Sequence, residues 1–221
     1  RLAPMCGLYM IPSPFEAMRR IFDAEPAEGL GPDAPRLNVS PTQNVPVVIS
    51  AEERRFLVPM RWGLIPHWYK SPGDGPLLIN ARAETIAEKP AFRAAVRERR
   101  CLFPVDGFYE WSGEKGAKIA HAIRRPDGAP FALAGIWQDW GPKDGDTLPV
   151  ATAAIVTCAA NDTLAAVHHR MPVLIAAEDA ALWLGEAGHG AARLMRPAPE
   201  TALAVAPADA ETRAVLARRG G

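Results

Sequence analysis

The 221 residues carry equal numbers of acidic and basic side chains, 25 of each, so the formal net charge is zero and no global field exists to recruit a polyanion; a nucleic-acid surface would have to be a local patch. A hydrophobic share of 48% against 23% charged residues excludes a disordered chain, and the length allows a substantial core. No apolar run reaches the length of a membrane-spanning helix or forms the core of an export signal. Cys6, Cys101 and Cys158 form no CxxC pair and no disulfide framework, which fits a reducing, cytoplasmic setting.

In chain order, the first feature is Met5-Cys6-Gly7. A cysteine at a true N-terminus carries a primary amine and a thiol on adjacent carbons, and both can add to one aldehyde to close a five-membered thiazolidine. Its amine titrates near ~7.7–8.0, against ~10.4 for lysine, so a useful fraction is neutral at pH 7. A helix is predicted over 13–23, with Ser13 as N-cap, Pro14 at the first helical position and Glu16 completing a capping box. The stretches 25–36 and 71–76 read as surface loops, with strands at Val45–Ser50 and Arg55–Trp62 between them.

The aromatic run Trp62 to Tyr69 closes on the second of these loops. Trp68 and Tyr69 suit either base stacking or plain packing. In Ile79-Asn80-Ala81-Arg82 an extended backbone puts Asn80 and Arg82 on one face, where they fit either a sugar and phosphate or a solvated loop. A helix follows near 90–99, then a strand over Cys101–Trp111 containing Asp106-Gly107-Phe108-Tyr109-Glu110-Trp111. A carboxylate among large apolar residues is expected to be desolvated and shifted toward general acid–base use, unless Glu110 is a salt-bridged edge residue.

Further strands are expected at Lys118–Arg124, Phe131–Trp137, Val150–Cys158 and Ala202–Ala206, and helices after Asn161 and over 178–184. Val167-His168-His169-Arg170-Met171-Pro172 supplies a candidate proton shuttle in one of its histidines. Adjacent histidines are expected to point apart and no third ligand is suitably spaced, so no metal is implied. His67, His121 and His189 read as structural or exposed. Strands and helices out of regular βαβ order predict an α+β fold, a single domain with a curled, largely antiparallel, barrel-like β core and peripheral helices.

Taken together, MCG, NVSPTQ at 38–43, RWGLIPHW at 61–68, INARAET at 79–85, CLFPVDGFYEW at 101–111 and HHRMPV at 168–173 resemble, in collinear order, the SRAP family, the SOS-response-associated peptidases or abasic-site-shielding proteins. The resemblance implies a cleft for single-stranded DNA and a thiazolidine between an N-terminal cysteine and the ring-opened aldehyde of an abasic site. By motif, Cys6 would be the nucleophile, Asn80 the orienting amide, Glu110 the carboxylate that moves protons and His168 the acid–base partner. Arg82 and Arg170 would contact phosphates, Trp68 and Tyr69 would form a wedge, and Asn38 and Pro41 of NVSPTQ would join the DNA interface.

The resemblance implies no cofactor, a monomer, and a cytoplasmic protein that associates with the nucleoid on damaged DNA. Leu8 replaces the arginine usual after MCG, which removes one phosphate contact, and His169 stands where aspartate is frequent, altering charge beside His168. The final segment matches the family only loosely.

Because the sequence begins at Arg1, the Cys6 nitrogen lies in an amide. Residues 1–5 are therefore expected to be a leader that is not native or is removed, with 6–221 as the single domain. Three activities stay open: covalent capture of abasic sites with weak lyase activity, a cysteine-type peptidase acting before Cys6, and a non-covalent reader of single-stranded or modified DNA.

Overall fold

The computed structural model describes residues 7–27, 30, 35–114, 116–141 and 148–217, so Cys6 and the leader lie outside the described residues. The chain runs through β1 (Tyr9–Ile11), α1 (Phe15–Phe22), β2 (Ala24–Pro26), β3 (Arg36–Val39), β4 (Asn44–Ala51), β5 (Arg54–Trp62) and β6 (Asn80–Arg82). It continues with α2 (Arg93–Glu98), β7 (Arg100–Val105), β8 (Gly107–Ser112), β9 (Ile119–Arg124), β10 (Phe131–Trp140) and β11 (Val150–Ala159). The last elements are α3 (Asp162–Ala165), β12 (Arg170–Pro172), β13 (Leu174–Ile175), α4 (Ala180–Leu184), β14 (Ala204–Pro207) and α5 (Ala210–Ala217).

The expected curled α+β architecture is present, and its curl has a definite cause. Strands β5, β4, β7, β10 and β11 pair in succession, and β11 then pairs back onto β5 through Thr152 opposite Arg61 and Ala153 opposite Trp62. The ring therefore closes, which removes two sheet edges that would otherwise expose unpaired backbone. The sequence supports this closure with apolar strands: Val47, Val48, Leu57, Leu102, Phe103, Leu133, Ile136 and Ile155 are all fully buried. Burying side chains of this kind contributes about 1.5–3 kcal/mol each. A second sheet, in the order β14-β9-β8-β1-β3, packs beside the ring. Pairing is mostly antiparallel, with parallel partners at β2–β5, β5–β11 and β6–β11.

Four expectations are corrected. The strand predicted over 101–111 is two strands in different sheets, because the chain turns at Asp106, whose N–H donates to the Met10 carbonyl at 3.0 Å. Gly107 permits the crossing: a Cβ there would lie 2.6 Å from the Ile123 carbonyl oxygen. The first helix begins at Phe15, with Pro14 as its cap residue and no side-chain cap. Ser13 instead donates its hydroxyl to Asp106 Oδ1 and its N–H to Oδ2 at 3.1 Å, since a carboxylate takes both donors in charge-assisted bonds whereas at a cap the hydroxyl oxygen would only accept. The predicted loop 25–36 begins with a strand, β2, laid parallel on β5; residues 28, 29 and 31–34 lie outside the described residues. The helix near 90–99 shrinks to α2, preceded by turns.

Elsewhere the reading of local signals holds. Asn161 caps α3 by accepting the Leu164 N–H at 3.0 Å, and 71–76 is an exposed loop. Among the described residues no helix is long and apolar enough to cross a membrane.

Candidate functional site

The two strands that carry Glu110 and Asn80 belong to different sheets, and Trp62 joins them. Its ring packs on Tyr9 of β1 with centroids 4.9 Å apart. Its indole N–H donates to the Ile79 carbonyl at 3.1 Å, fixing the residue before Asn80. Its backbone N–H and carbonyl pair with Gln43 and Thr42 at 2.9 and 2.7 Å, which holds the turn containing Pro41. The ring that sequence reading treated as part of an aromatic packing cluster is thus the hub of three site segments.

Strand β1 runs between β3 and β8. Asn38 on β3 is half-buried, and Glu110 on β8 is 5% exposed. The Leu8 carbonyl, two residues after Cys6, accepts the Tyr109 N–H at 3.0 Å, so the chain enters β1 alongside the segment that holds Glu110. Phe108, Glu110 and Ser112 alternate onto one face of β8, and Phe108 is sealed in the core. The opposite face of this sheet carries Leu8, Met10 and Tyr109 beneath Leu216 of α5. Leu8 is therefore a packing residue, in the place where the family usually has an arginine.

Asn80 and Arg82 do share a face of β6, half-buried and exposed respectively, while Ala81 between them is sealed. β6 lies parallel to β11, with Asn80 opposite Ile155 and Arg82 opposite Thr157. On the other side of β11, Ala159 is opposite Arg170. Arg170 reaches back to make a two-pronged ion pair with Glu84 at 2.7 and 2.9 Å, and it also donates to the Thr157 carbonyl at 2.7 Å. That pairing holds the Glu84 carboxyl below its usual range. Arg170 is committed to tying the INARAE segment to β11, with Arg82 exposed beside it.

His168 accepts the Arg170 backbone N–H on Nδ1 at 3.0 Å, so the neutral imidazole carries its proton on Nε2. Burial, and next His169, push its pKa below 6.5. The paired histidines were expected to point apart, but their rings stack 4.4 Å between centroids at 26°; the bend into β12 turns both the same way. An aspartate in place of His169 would act with the opposite sign, so this departure favours a neutral His168. Because the folded protein binds this proton less readily than the unfolded chain, the associated stability is complete above about pH 6.5 and is lost as pH falls through the lower folded value. Between pH 7.5 and 5.5 the melting temperature of the wild type should fall further than that of His168→Gln. Parallel thermal scans check this, and equal slopes would refute it.

Trp68 and Tyr69 stand elsewhere. Trp68 is 45% exposed, edge-on to His67 at 4.9 Å, and the Tyr69 carbonyl accepts the Trp140 indole N–H at 2.9 Å. Trp140 pairs with Val150 at the start of β11, whereas Arg82 and Arg170 meet its far end at Thr157 and Ala159. At about 3.3 Å per residue the aromatic pair and the arginines are separated by roughly 23–30 Å along that strand.

Both described cysteines are buried. Burial pushes the Cys101 thiol far up and the Cys158 thiol up to about 11, so neither is a nucleophile at neutral pH. Among the described residues no cluster of His, Cys, Asp and Glu is suited to a metal ion. His121, read from the sequence as structural or exposed, is half-buried on β9 with its Nε2 2.7 Å from the Ser112 hydroxyl. It lies directly across from Glu110 in the β8–β9 register, a relation visible only once strand pairing is known.

The fold and site define a class: single-domain proteins with a closed, curled β core, whose N-terminal strand is threaded between a buried carboxylate and an amide-bearing strand. The chain belongs to the SOS response associated peptidase (SRAP) family, whose profile matches residues 5–215. It is 39% identical over 181 residues to the abasic site processing protein YoaM of Bacillus subtilis, covering 81% of this chain and 79% of that one. It is also 33% identical to the abasic site processing protein YedK of Escherichia coli, over 67% and 64% of the two chains. A crystal structure of a protein from Bacteroides thetaiotaomicron superposes with a TM-score of 0.78 at 26% identity, over 93% of each chain.

Proposed function

We propose that this protein captures abasic sites in single-stranded DNA as a covalent thiazolidine on an N-terminal Cys6. The observation that carries the reading is the setting of β1. The strand that follows Cys6 runs beside the buried Glu110 on β8, and through Tyr9 and Trp62 it is coupled to the segment bearing Asn80. Relatives of similar length, among them YoaM, are named for abasic-site processing, and that substrate presents an aldehyde, which matches the paired amine and thiol of an N-terminal cysteine.

In the proposed sequence the neutral Cys6 amine adds to the C1′ aldehyde, and the resulting carbinolamine loses one water to give a Schiff base. Glu110 takes the proton released from nitrogen and returns it to the departing hydroxyl, which leaves as water, while the neutral His168 holds that hydroxyl by a hydrogen bond from its Nε2–H. The thiol then adds across the C=N bond, sulfur bonding to carbon and its proton passing to nitrogen. Ring closure is intramolecular, where effective molarities of about 10⁵–10⁸ M are attainable, so it outruns release. A Schiff base that fails to close can undergo β-elimination, giving weak lyase activity. Asn80 orients the cysteine or sugar, Arg82 contacts a phosphate, and Arg170 positions that segment. Trp68 stacks on a base at the opposite end of β11. Asn38 and Pro41 line the strand's other flank.

The chemistry requires that residues 1–5 be absent, because an acylated Cys6 nitrogen cannot form a Schiff base. The test is an incubation with uracil-containing single-stranded DNA converted to abasic sites, using protein whose free Cys6 amine is verified by intact mass. An adduct that survives denaturation is expected with the free amine and none after N-terminal acetylation. An adduct from acetylated protein would overturn the thiazolidine, and none from either form would overturn covalent capture.

A further inference from the structure

A groove of about 630 Å³ opens beside Trp68, within the range of about 300–1,000 Å³ usual for ligand sites. The loop carrying His67 and Trp68 forms one wall, Pro90 and Arg93 form the other, and Gln138 and Asp139 of β10 lie between them. The wall that carries Trp68 is pinned at both ends. The Ile65 N–H donates to the Thr152 hydroxyl at 3.2 Å, and the Ile65 carbonyl accepts the side-chain amide of Gln138. Four residues on, the Tyr69 carbonyl accepts the Trp140 indole N–H at 2.9 Å. A large ring is thus held 45% exposed on a rigid loop, so little ordering remains to be done when something stacks on it.

The charged groups around the groove differ in freedom. Arg99 donates from Nε to the Trp137 carbonyl at 3.3 Å and pairs with Glu98 at 3.1 Å, so its guanidinium is already engaged. Arg93 is exposed and makes no ion pair among the described residues. Asp139 is exposed as well; it repels a phosphate but accepts from the N–H groups of a base. A ring to stack on and an uncommitted cation facing it across a groove are the parts of a single-stranded nucleic-acid site. In a chain of zero net charge, attraction for a polyanion must come from local cations of this kind.

The groove is remote from Arg82. Gln138 and Asp139 pair with Thr152 and Ala151, five and six residues before Thr157, the partner of Arg82. At about 3.3 Å per residue this is roughly 17–20 Å along β11, too far for one nucleotide to touch both. We propose that the groove is a second nucleotide subsite, distant from the reacting abasic site, in which a base stacks on Trp68 and its phosphate pairs with Arg93. The inference rests on the single-strand reading above and adds to it a phosphate contact, Arg93, and a dependence of affinity on strand length.

The experiment measures affinity by fluorescence anisotropy for two single strands carrying a tetrahydrofuran analogue of the abasic site, which has no aldehyde to react. One has two nucleotides on either side of the analogue and the other has ten; only the longer can reach the groove. In Trp68→Ala the preference for the longer strand should fall by about 5–150-fold, the equivalent of one stacked base, and Trp68→Phe should recover most of it. In Arg93→Gln the log–log salt slope for the longer strand should fall by about 0.7 relative to that for the shorter. An unchanged preference in Trp68→Ala, or an unchanged slope difference in Arg93→Gln, would overturn the subsite. Strands with a true abasic site are run in parallel. An adduct without these two changes removes the subsite and leaves capture standing, whereas both changes without an adduct leave the subsite and remove capture.

Discussion

Cys6→Ala should eliminate the denaturation-resistant adduct with abasic single-stranded DNA while leaving affinity for that DNA nearly unchanged. The alanine variant retains an N-terminal amine, so it can still form a Schiff base, but it has no thiol to add across the C=N bond. Borohydride should therefore trap an imine in the variant that the wild type converts onward. Affinity survives because the proposed DNA contacts, Arg82 and Trp68, are placed by β6 and by the loop after β5, not by the first residues. Fluorescence anisotropy at fixed salt measures affinity, and a denaturing gel measures the adduct. Each phosphate neutralised should contribute about 0.7 to the log–log salt slope in both proteins. A stable adduct from the alanine variant, or a large loss of affinity, would remove Cys6 from the proposed role.

Glu110→Gln should slow capture by about 10²–10⁴-fold, the usual span for a lost general acid–base group, with little change in binding. Glutamine matches the carboxylate in size, so β8 should keep its pairing with β1 and β9, and the loss should be chemical. Its side chain is 5% exposed on the face that runs into the core, a setting in which solvent buffer replaces a missing base poorly. Single-turnover time courses with saturating protein isolate this step. A rate within twofold of wild type would take Glu110 out of the mechanism.

Local chemistry explains which parts of this protein are legible from its residues alone. The long strands β4, β5, β10 and β11 announce themselves by runs rich in β-branched, aromatic and other apolar residues, because their inner faces pack into the closed core. Asn161 is readable as a cap since its partner, Leu164, is only three residues away. Ser13 misleads for the converse reason. Its partner is Asp106, 93 residues distant, and no local rule weighs a helix cap against a carboxylate from another sheet.

The short strands are invisible on the same grounds. β1, β2, β3 and β6 have three or four residues each and are held by neighbours, not by their own pattern. Yet these short strands place the site: β1 leads the chain past Glu110, β6 displays Asn80 and Arg82, and β3 brings Asn38.

The sequence by itself determined the residue types of the candidate site, their order, the family to which the chain belongs and the apolar strands of its core. The family and the site assignments rest on the resemblance of ordered motifs, and the core strands on local composition and spacing; none of these needs coordinates. Only the tertiary structure decided that β11 closes onto β5, that Trp62 couples β1 to β6, that Arg170 is committed to Glu84, and that His121 pairs with Glu110 in strand register. Each is a contact between residues far apart in the chain, set by strand register and by which faces can be buried together. No local signal in the sequence encodes that information.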